Sequence, residues 1–226
     1  MLNDAPSAGL ADLRTRYLTA QLEGDRRAAL ELVLSAIQGG QPALAIQRDV
    51  IQAAQREVGR LWQENAISIA EEHMATAISQ MALAHLYDHA ERAPDNGKLI
   101  WVACVEGELH DFPARLVADS LDLAGFQVKY LGANVPTASL LQLLERARPD
   151  LLALSVTMSF NLPSLYGATT RVRGRHLNLP IAIGGGACQL APAAVQSLGA
   201  DICVRDAAEL VAAAADRLGV GLGAPR

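Results

Sequence analysis

From Lys98 onward the chain alternates two kinds of segment, and this alternation narrows the possible fold more than any other feature. Short apolar runs span Lys98–Val105, Gln127–Leu131, Leu151–Thr157, Pro180–Ile183 and Asp201–Val204. Amphipathic stretches follow them at Asp111–Ala124, Ala138–Arg148, Leu162–Arg175, Ala191–Leu198 and Ala207–Leu218. Five strands, each followed by a helix, predict a parallel sheet buried on both faces, with right-handed crossovers. In such sheets a ligand sits beyond the carboxyl ends of the strands, where the strand order reverses. The loops after the strands are therefore the place to look for chemistry.

The first part of the chain follows a different pattern. Leu10 to Leu22, Asp25 to Gln38, Gln41 to Gln63 and Ile67 to Arg92 carry apolar residues at three- and four-residue spacing. Gly39-Gly40 and Asn65 separate segments, and Asp25 and Ser68 are suited to cap helices. The turn-forming string Ala93-Pro-Asp-Asn-Gly-Lys98 marks a boundary. The expected architecture is a four-helix bundle over residues 8–92, then a Rossmann-like, flavodoxin-like five-stranded parallel α/β domain over residues 98–222.

Composition removes several functional classes. With 51% hydrophobic and 19% charged residues, the chain of 226 residues reads as globular rather than disordered. No apolar run approaches the roughly 18 residues that span a bilayer, and no secretory signal opens the sequence, so a cytoplasmic location and no membrane contact are expected. Cys104, Cys188 and Cys203 show no pairing or metal spacing, and Cys104 and Cys203 fall in apolar runs as small hydrophobes. The net charge is −5, and the densest basic stretch, Arg171-Val-Arg-Gly-Arg175, is too short for a nucleic-acid footprint. Direct nucleic-acid binding is not expected.

The first strand runs into Glu106-Gly-Glu-Leu-His-Asp-Phe-Pro113. Imidazole is a good ligand for a borderline metal, and a carboxylate on its other nitrogen commonly fixes the tautomer. Glu108 or Asp111 could supply that carboxylate to His110. The third strand ends in Ser155-Val-Thr157, which offers hydroxyls, and the fourth in Gly184-Gly185-Gly186, where missing side chains admit a close approach to the backbone. No GxGxxG follows the first strand and no GxxxxGK[ST] occurs, which disfavours dinucleotide and P-loop readings.

Glu108-Leu-His110, Ser155-Val-Thr157 and Gly184-Gly185-Gly186, in that order on those strands, resemble the loops of the cobalamin-binding domains found in methionine synthase, corrinoid carriers and carbon-skeleton mutases. The resemblance covers roughly the last 130 residues. It implies that His110 replaces the cofactor's own base as lower ligand of cobalt, and that the hydroxyl and glycine loops receive the nucleotide tail. Two residues depart from the DxHxxG pattern of that family: Glu108 stands for Asp, and Pro113 stands for Gly. Proline is tolerated in the first turn of a helix, so the helix can begin there.

In the bundle, Trp62 is followed after nine residues by Glu72-His73. This signature resembles the cap of CarH-type light-sensing repressors. It implies that Trp62, Glu72 and His73 shelter the upper group of adenosylcobalamin, and that His73 can occupy the upper position after light breaks the cobalt–carbon bond. About ten residues precede the bundle, too few for a winged helix, so the expected output is a protein partner (a regulator or kinase) or a change of homo-oligomer, as in AerR-type antirepressors. His85 and His89, four apart, are expected to be a solvated or interface pair, and His176 plain surface. The main expectation is a light-responsive regulator of transcription rather than an enzyme. The alternatives are a corrinoid carrier of a methyltransferase system and a flavodoxin-like module that holds another ligand or none.

Overall fold

A computed structural model describes residues 8–186, 188, 195 and 198–223. The chain divides into two compact units, residues 1–91 and 92–226.

In the first unit α1 (Ala8–Leu22) and α2 (Arg26–Gln38) are joined through Asp25, whose side chain accepts from the Ala28 N–H and caps α2. The next helical run begins after Pro42 as α3 (Ala43–Ile46), passes through a π-helical stretch (Gln47–Gln52) and continues as α4 (Ala53–Gln63). Apolar spacing predicts one unbroken helix here, because Ile46, Val50, Ile51, Ala54 and Val58 still recur at three- and four-residue intervals on the buried side. Helix α5 (Ile69–Tyr87) opens on a capping box in which Ser68 and Glu71 satisfy each other's backbone N–H groups. It ends five residues before the expected Arg92. The His89 imidazole lies 2.8 Å from the His85 carbonyl and closes the helix end, so the histidine pair performs a capping role. No group of three metal-capable side chains occurs among the described residues.

The second unit is the predicted parallel sheet, in the order β2-β1-β3-β4-β5. Its strands are β1 (Leu99–Cys104), β2 (Gln127–Gly132), β3 (Leu151–Ser155), β4 (Ile181–Gly184) and β5 (Ile202–Cys203). Order reverses between β1 and β3, which pair directly from Ile100↔Leu151 to Cys104↔Ser155. The helices are α6 (Phe112–Leu123), α7 (Thr137–Arg146), α8 (Leu162–Arg175) and α9 (Ala207–Leu218). The helix expected over residues 191–198 lies largely outside the described residues.

Alternate strand residues face opposite layers. Trp101, Leu152, Leu154, Ile181 and Ile183 pack with Leu140, Leu144 and Leu165 on one face. Ile100, Val102, Leu151 and Ala182 pack with Leu121, Leu210 and Ala214 on the other. Cys104 is buried as expected, whereas Cys203 is exposed: β5 is a two-residue edge strand with one neighbour, and its run does not have a covered position to offer the thiol. No helix among the described residues is long and apolar enough to cross a membrane.

Leu152 is fully buried in the central strand, while Leu177 is 76% exposed. Urea unfolding should show Leu152→Ala losing about 2–5 kcal/mol and Leu177→Ala changing by less than about 0.5 kcal/mol. Equal losses would contradict this placement of the core.

Candidate cofactor site

The site is assembled at the carboxyl ends of β1, β3 and β4, beside the reversal of strand order. After Cys104 the chain turns through Gly107, at φ +87, and directs Glu108 inward, where it is fully buried. Burying a carboxylate is costly unless its lone pairs are taken. Here they are. One oxygen accepts from the Thr157 N–H at 2.8 Å, the Met158 N–H at 3.0 Å and the Asn161 amide at 3.0 Å. The other accepts from the His110 N–H at 3.0 Å and faces His110 Nδ1 at 2.6 Å. Burial pushes the Glu108 carboxyl up, but the hydrogen bonds from His110, Met158 and Asn161 outweigh it and hold the group down at about 2.

An ionised carboxylate can only accept, so His110 Nδ1 carries the proton and the ring's lone pair resides on Nε2. This is the tautomer a metal ligand needs. The His110 side chain is 39% exposed. Of the two carboxylates open from sequence, Glu108 is the one on His110. Asp111 instead accepts from the Tyr130 hydroxyl at 3.2 Å through Oδ2 and at 3.3 Å through its carbonyl, and it precedes α6. Pro113 lies in the first turn of that helix, where its missing N–H has no partner to lose.

Strand β3 stops at Ser155, two residues earlier than expected, because the next amides but one, on Thr157 and Met158, point to Glu108 instead of a ladder partner. Thr157 Oγ1 is buried with no hydrogen-bond partner among the described residues. Ser155 bonds the Cys104 thiol, which burial and then the charges of Asp111 and Glu108 push up to about 12. That thiol is inert. The glycine turn is demanded by the protein itself: at Gly185, φ +106, an added Cβ would lie 2.2 Å from the Val156 carbonyl oxygen. At Gly186 it would lie 3.3 Å from the Thr157 oxygen. The backbone that approaches these glycines most closely is that of β3's loop, which places the turn against the Thr157 carbonyl and methyl group.

Three supporting residues have no signature in the sequence. Asn161 donates to Glu108 and, at 3.4 Å, to the Gly107 carbonyl. Asn134, at φ +49, accepts from the Gly107 N–H at 2.8 Å and donates its own N–H to the Glu108 carbonyl. Glu106 accepts from the Thr137 N–H at 3.2 Å, capping α7 where Pro136 has no side chain to do so. Each is an ordinary loop residue until the fold brings it to its partner.

In the helical unit, Trp62 lies in the last turn of α4, half-buried, and Glu72 and His73 open α5 across a short connection. His73 Nδ1 lies 2.5 Å from Glu72 Oε2; the His73 side chain is 72% exposed and that of Glu72 16%. These three residues thus share one end of the α4–α5 pair.

The chain matches two family descriptions, both B12 binding domain, one at residues 98–215 and the other at residues 13–87. It is similar to dimethylamine corrinoid protein 1 of Methanosarcina acetivorans, 28% identical over 170 residues that cover 74% of this chain and 79% of that protein. It is also similar to the HTH-type transcriptional repressor CarH of Myxococcus xanthus, 29% identical over 162 residues, 70% of this chain and 52% of the repressor. The chain thus spans about half of that relative's length. Among solved structures, the Methanosarcina barkeri monomethylamine corrinoid protein superposes with a TM-score of 0.80, covering 91% of this chain and 98% of that one at 21% identity, a likeness of fold.

The Glu108 carboxyl titrates at about 2 in the fold against 4.5 ordinarily. A folded value below the unfolded one means that ionisation stabilises the protein above pH 4.5, and that this contribution disappears as the pH falls through about 2. On the order of 3 kcal/mol is at stake, at about 1.36 kcal/mol per pH unit. Chemical denaturation of the cofactor-free protein between pH 6 and pH 3 should show a steeper loss for the native chain than for Glu108→Gln. Parallel profiles would show that the carboxylate is not held as described.

Proposed function

The chain belongs to the B12 binding domain family, and on that premise we propose that it is a light-responsive adenosylcobalamin sensor that acts through a protein partner or a change of oligomer. Its cofactor is a cobalamin. When bound, adenosylcobalamin supplies a cobalt–carbon bond that light can break. His110 would hold cobalt from below through Nε2, with Glu108 keeping the proton on Nδ1 and so keeping the lone pair available. The Thr157 hydroxyl, buried without a hydrogen-bond partner among the described residues, suits a ligand that brings polar atoms to these loops. Ser155, Thr157 and the turn Gly184-Gly185-Gly186 would line the course of the nucleotide tail, and Asp111 would hold the start of α6 beside it.

The observation that carries the sensor reading over other cobalamin functions is the Glu72–His73 pair at 2.5 Å, beside Trp62 at one end of α4 and α5. A half-buried carboxylate that steers an exposed imidazole at the start of α5, with a large aromatic residue in the last turn of α4, suits a cover for an adenosyl group. Trp62 would provide the apolar contact, and His73 would be the residue able to take the upper position once it is free. Release of such a cover is a local change that biases a two-state element.

A second reading is a corrinoid carrier for a methyltransferase partner. It is favoured by the 79% of dimethylamine corrinoid protein 1 that the chain covers, against 52% of CarH. In that reading His110 and Glu108 keep their roles, whereas Trp62, Glu72 and His73 have none.

The two readings separate in an absorption spectrum of the protein with adenosylcobalamin, recorded in darkness and again after brief green illumination. A sensor gives a stable dark complex that light converts to a spectrum with imidazole on both faces of cobalt, a conversion lost in His73→Ala. A bound cofactor that light alters no differently from free cobalamin supports the carrier. In either case His110→Ala should weaken binding or restore coordination by the cofactor's own base; an unchanged spectrum and affinity would remove His110 as the ligand.

A further inference from the structure

Behind the Glu72–His73 pair a line of polar side chains runs into the centre of the helical unit. Glu72 Oε1 accepts from the Thr76 hydroxyl at 2.7 Å. The Thr76 oxygen accepts from the Gln55 amide at 2.5 Å, and the Gln55 carbonyl accepts from the Ser79 hydroxyl at 3.0 Å. Ser79 in turn accepts from the Gln21 amide at 2.7 Å, and the same amide donates to the Ala75 carbonyl at 3.0 Å. Gln21 and Ser79 are fully buried, so the line begins in the core of α1, α4 and α5 and emerges at the end where His73 is exposed.

The direction of every bond follows from its outer end. A carboxylate has no proton to give, so Thr76 must donate to Glu72 and can only accept from Gln55. That makes Gln55 present its NH2 to Thr76 and its oxygen to Ser79. Ser79 then gives its proton to Gln55 and accepts from Gln21. The Gln21 oxygen is left at the inner end, buried without a hydrogen-bond partner among the described residues. At the outer end Glu72 has one oxygen tied to Thr76 and the other presented to His73.

We propose that Thr76 and Gln55 are positioning residues for the Glu72–His73 pair, holding the carboxylate in the one orientation that directs the imidazole. The functional consequence rests on the reading of Glu72 and His73 as cover residues, but the positioning does not. Thr76→Val keeps the shape while removing both the donor to Glu72 and the acceptor for Gln55. Thr76→Ser keeps the hydroxyl. Gln55→Glu replaces the donating amide with a group that cannot donate to Thr76.

The test pairs two measurements on these full-length variants. The first is imidazole 15N NMR of His73 in the cofactor-free protein. The native chain and Thr76→Ser should hold the Nδ1–H tautomer, and Thr76→Val and Gln55→Glu should shift it towards Nε2–H. The second is the ratio of adenosylcobalamin to methylcobalamin affinity in darkness, which should fall about tenfold in Thr76→Val and recover in Thr76→Ser. A lowered melting temperature with an unmoved His73 tautomer in both Thr76→Val and Gln55→Glu overturns the proposal, since the line would then be structural only. A tautomer that shifts as expected while the affinity ratio stays constant supports the positioning and removes Glu72 and His73 from the upper pocket.

Discussion

The buried carboxylate of Glu108 is the constraint on which the α/β unit's site depends. Removing an ionised group from water is tolerable only where donors replace the solvent, and the donors come from its own loop, from the end of β3 and from Asn161. Those bonds tie the loop after β1 to the loop after β3 at the place where strand order reverses. They also decide which nitrogen of His110 carries a proton.

The same logic operates in the helical unit. Glu72, like Glu108, accepts only, and so fixes the proton on every group that points at it. In one unit the effect stays with one imidazole, three loop N–H groups and the Asn161 amide; in the other it propagates through Thr76, Gln55 and Ser79 to Gln21. Both carboxylates bear on a histidine through Nδ1. They differ in burial, which is complete for Glu108 and partial for Glu72.

Much of this was legible in the residues. The five apolar runs became the five strands, α8 and α9 begin and end where the spacing placed them, and Asp25 and Ser68 cap the helices assigned to them. Two elements ended early for different reasons: β3 lost two residues when the Thr157 and Met158 amides turned to the distant Glu108, and α5 closed on the local contact of His89 with the His85 carbonyl. Glu108 and Asp111 were equivalent on paper and are not in space. Asn134 and Asn161 were silent, because a loop asparagine has the same local character whether it faces water or a buried carboxylate. The glycines were read as room for a ligand, yet the Val156 carbonyl already requires Gly185.

What the sequence determined by itself is what repeats along the chain: the periods of helix and strand, the two-part organisation, and the strand-end loops where a ligand site is expected. These depend on neighbours within a few residues, so no fold is needed to see them. Only the tertiary structure decided which carboxylate serves His110, which amides ionise it, and which side chains stand behind Glu72. The partners of Glu108 across the pocket lie 49, 50 and 53 residues away, and Gln55 lies 21 residues from Thr76. A hydrogen bond depends on distance and direction in space, and at those separations neither exists until the chain has folded.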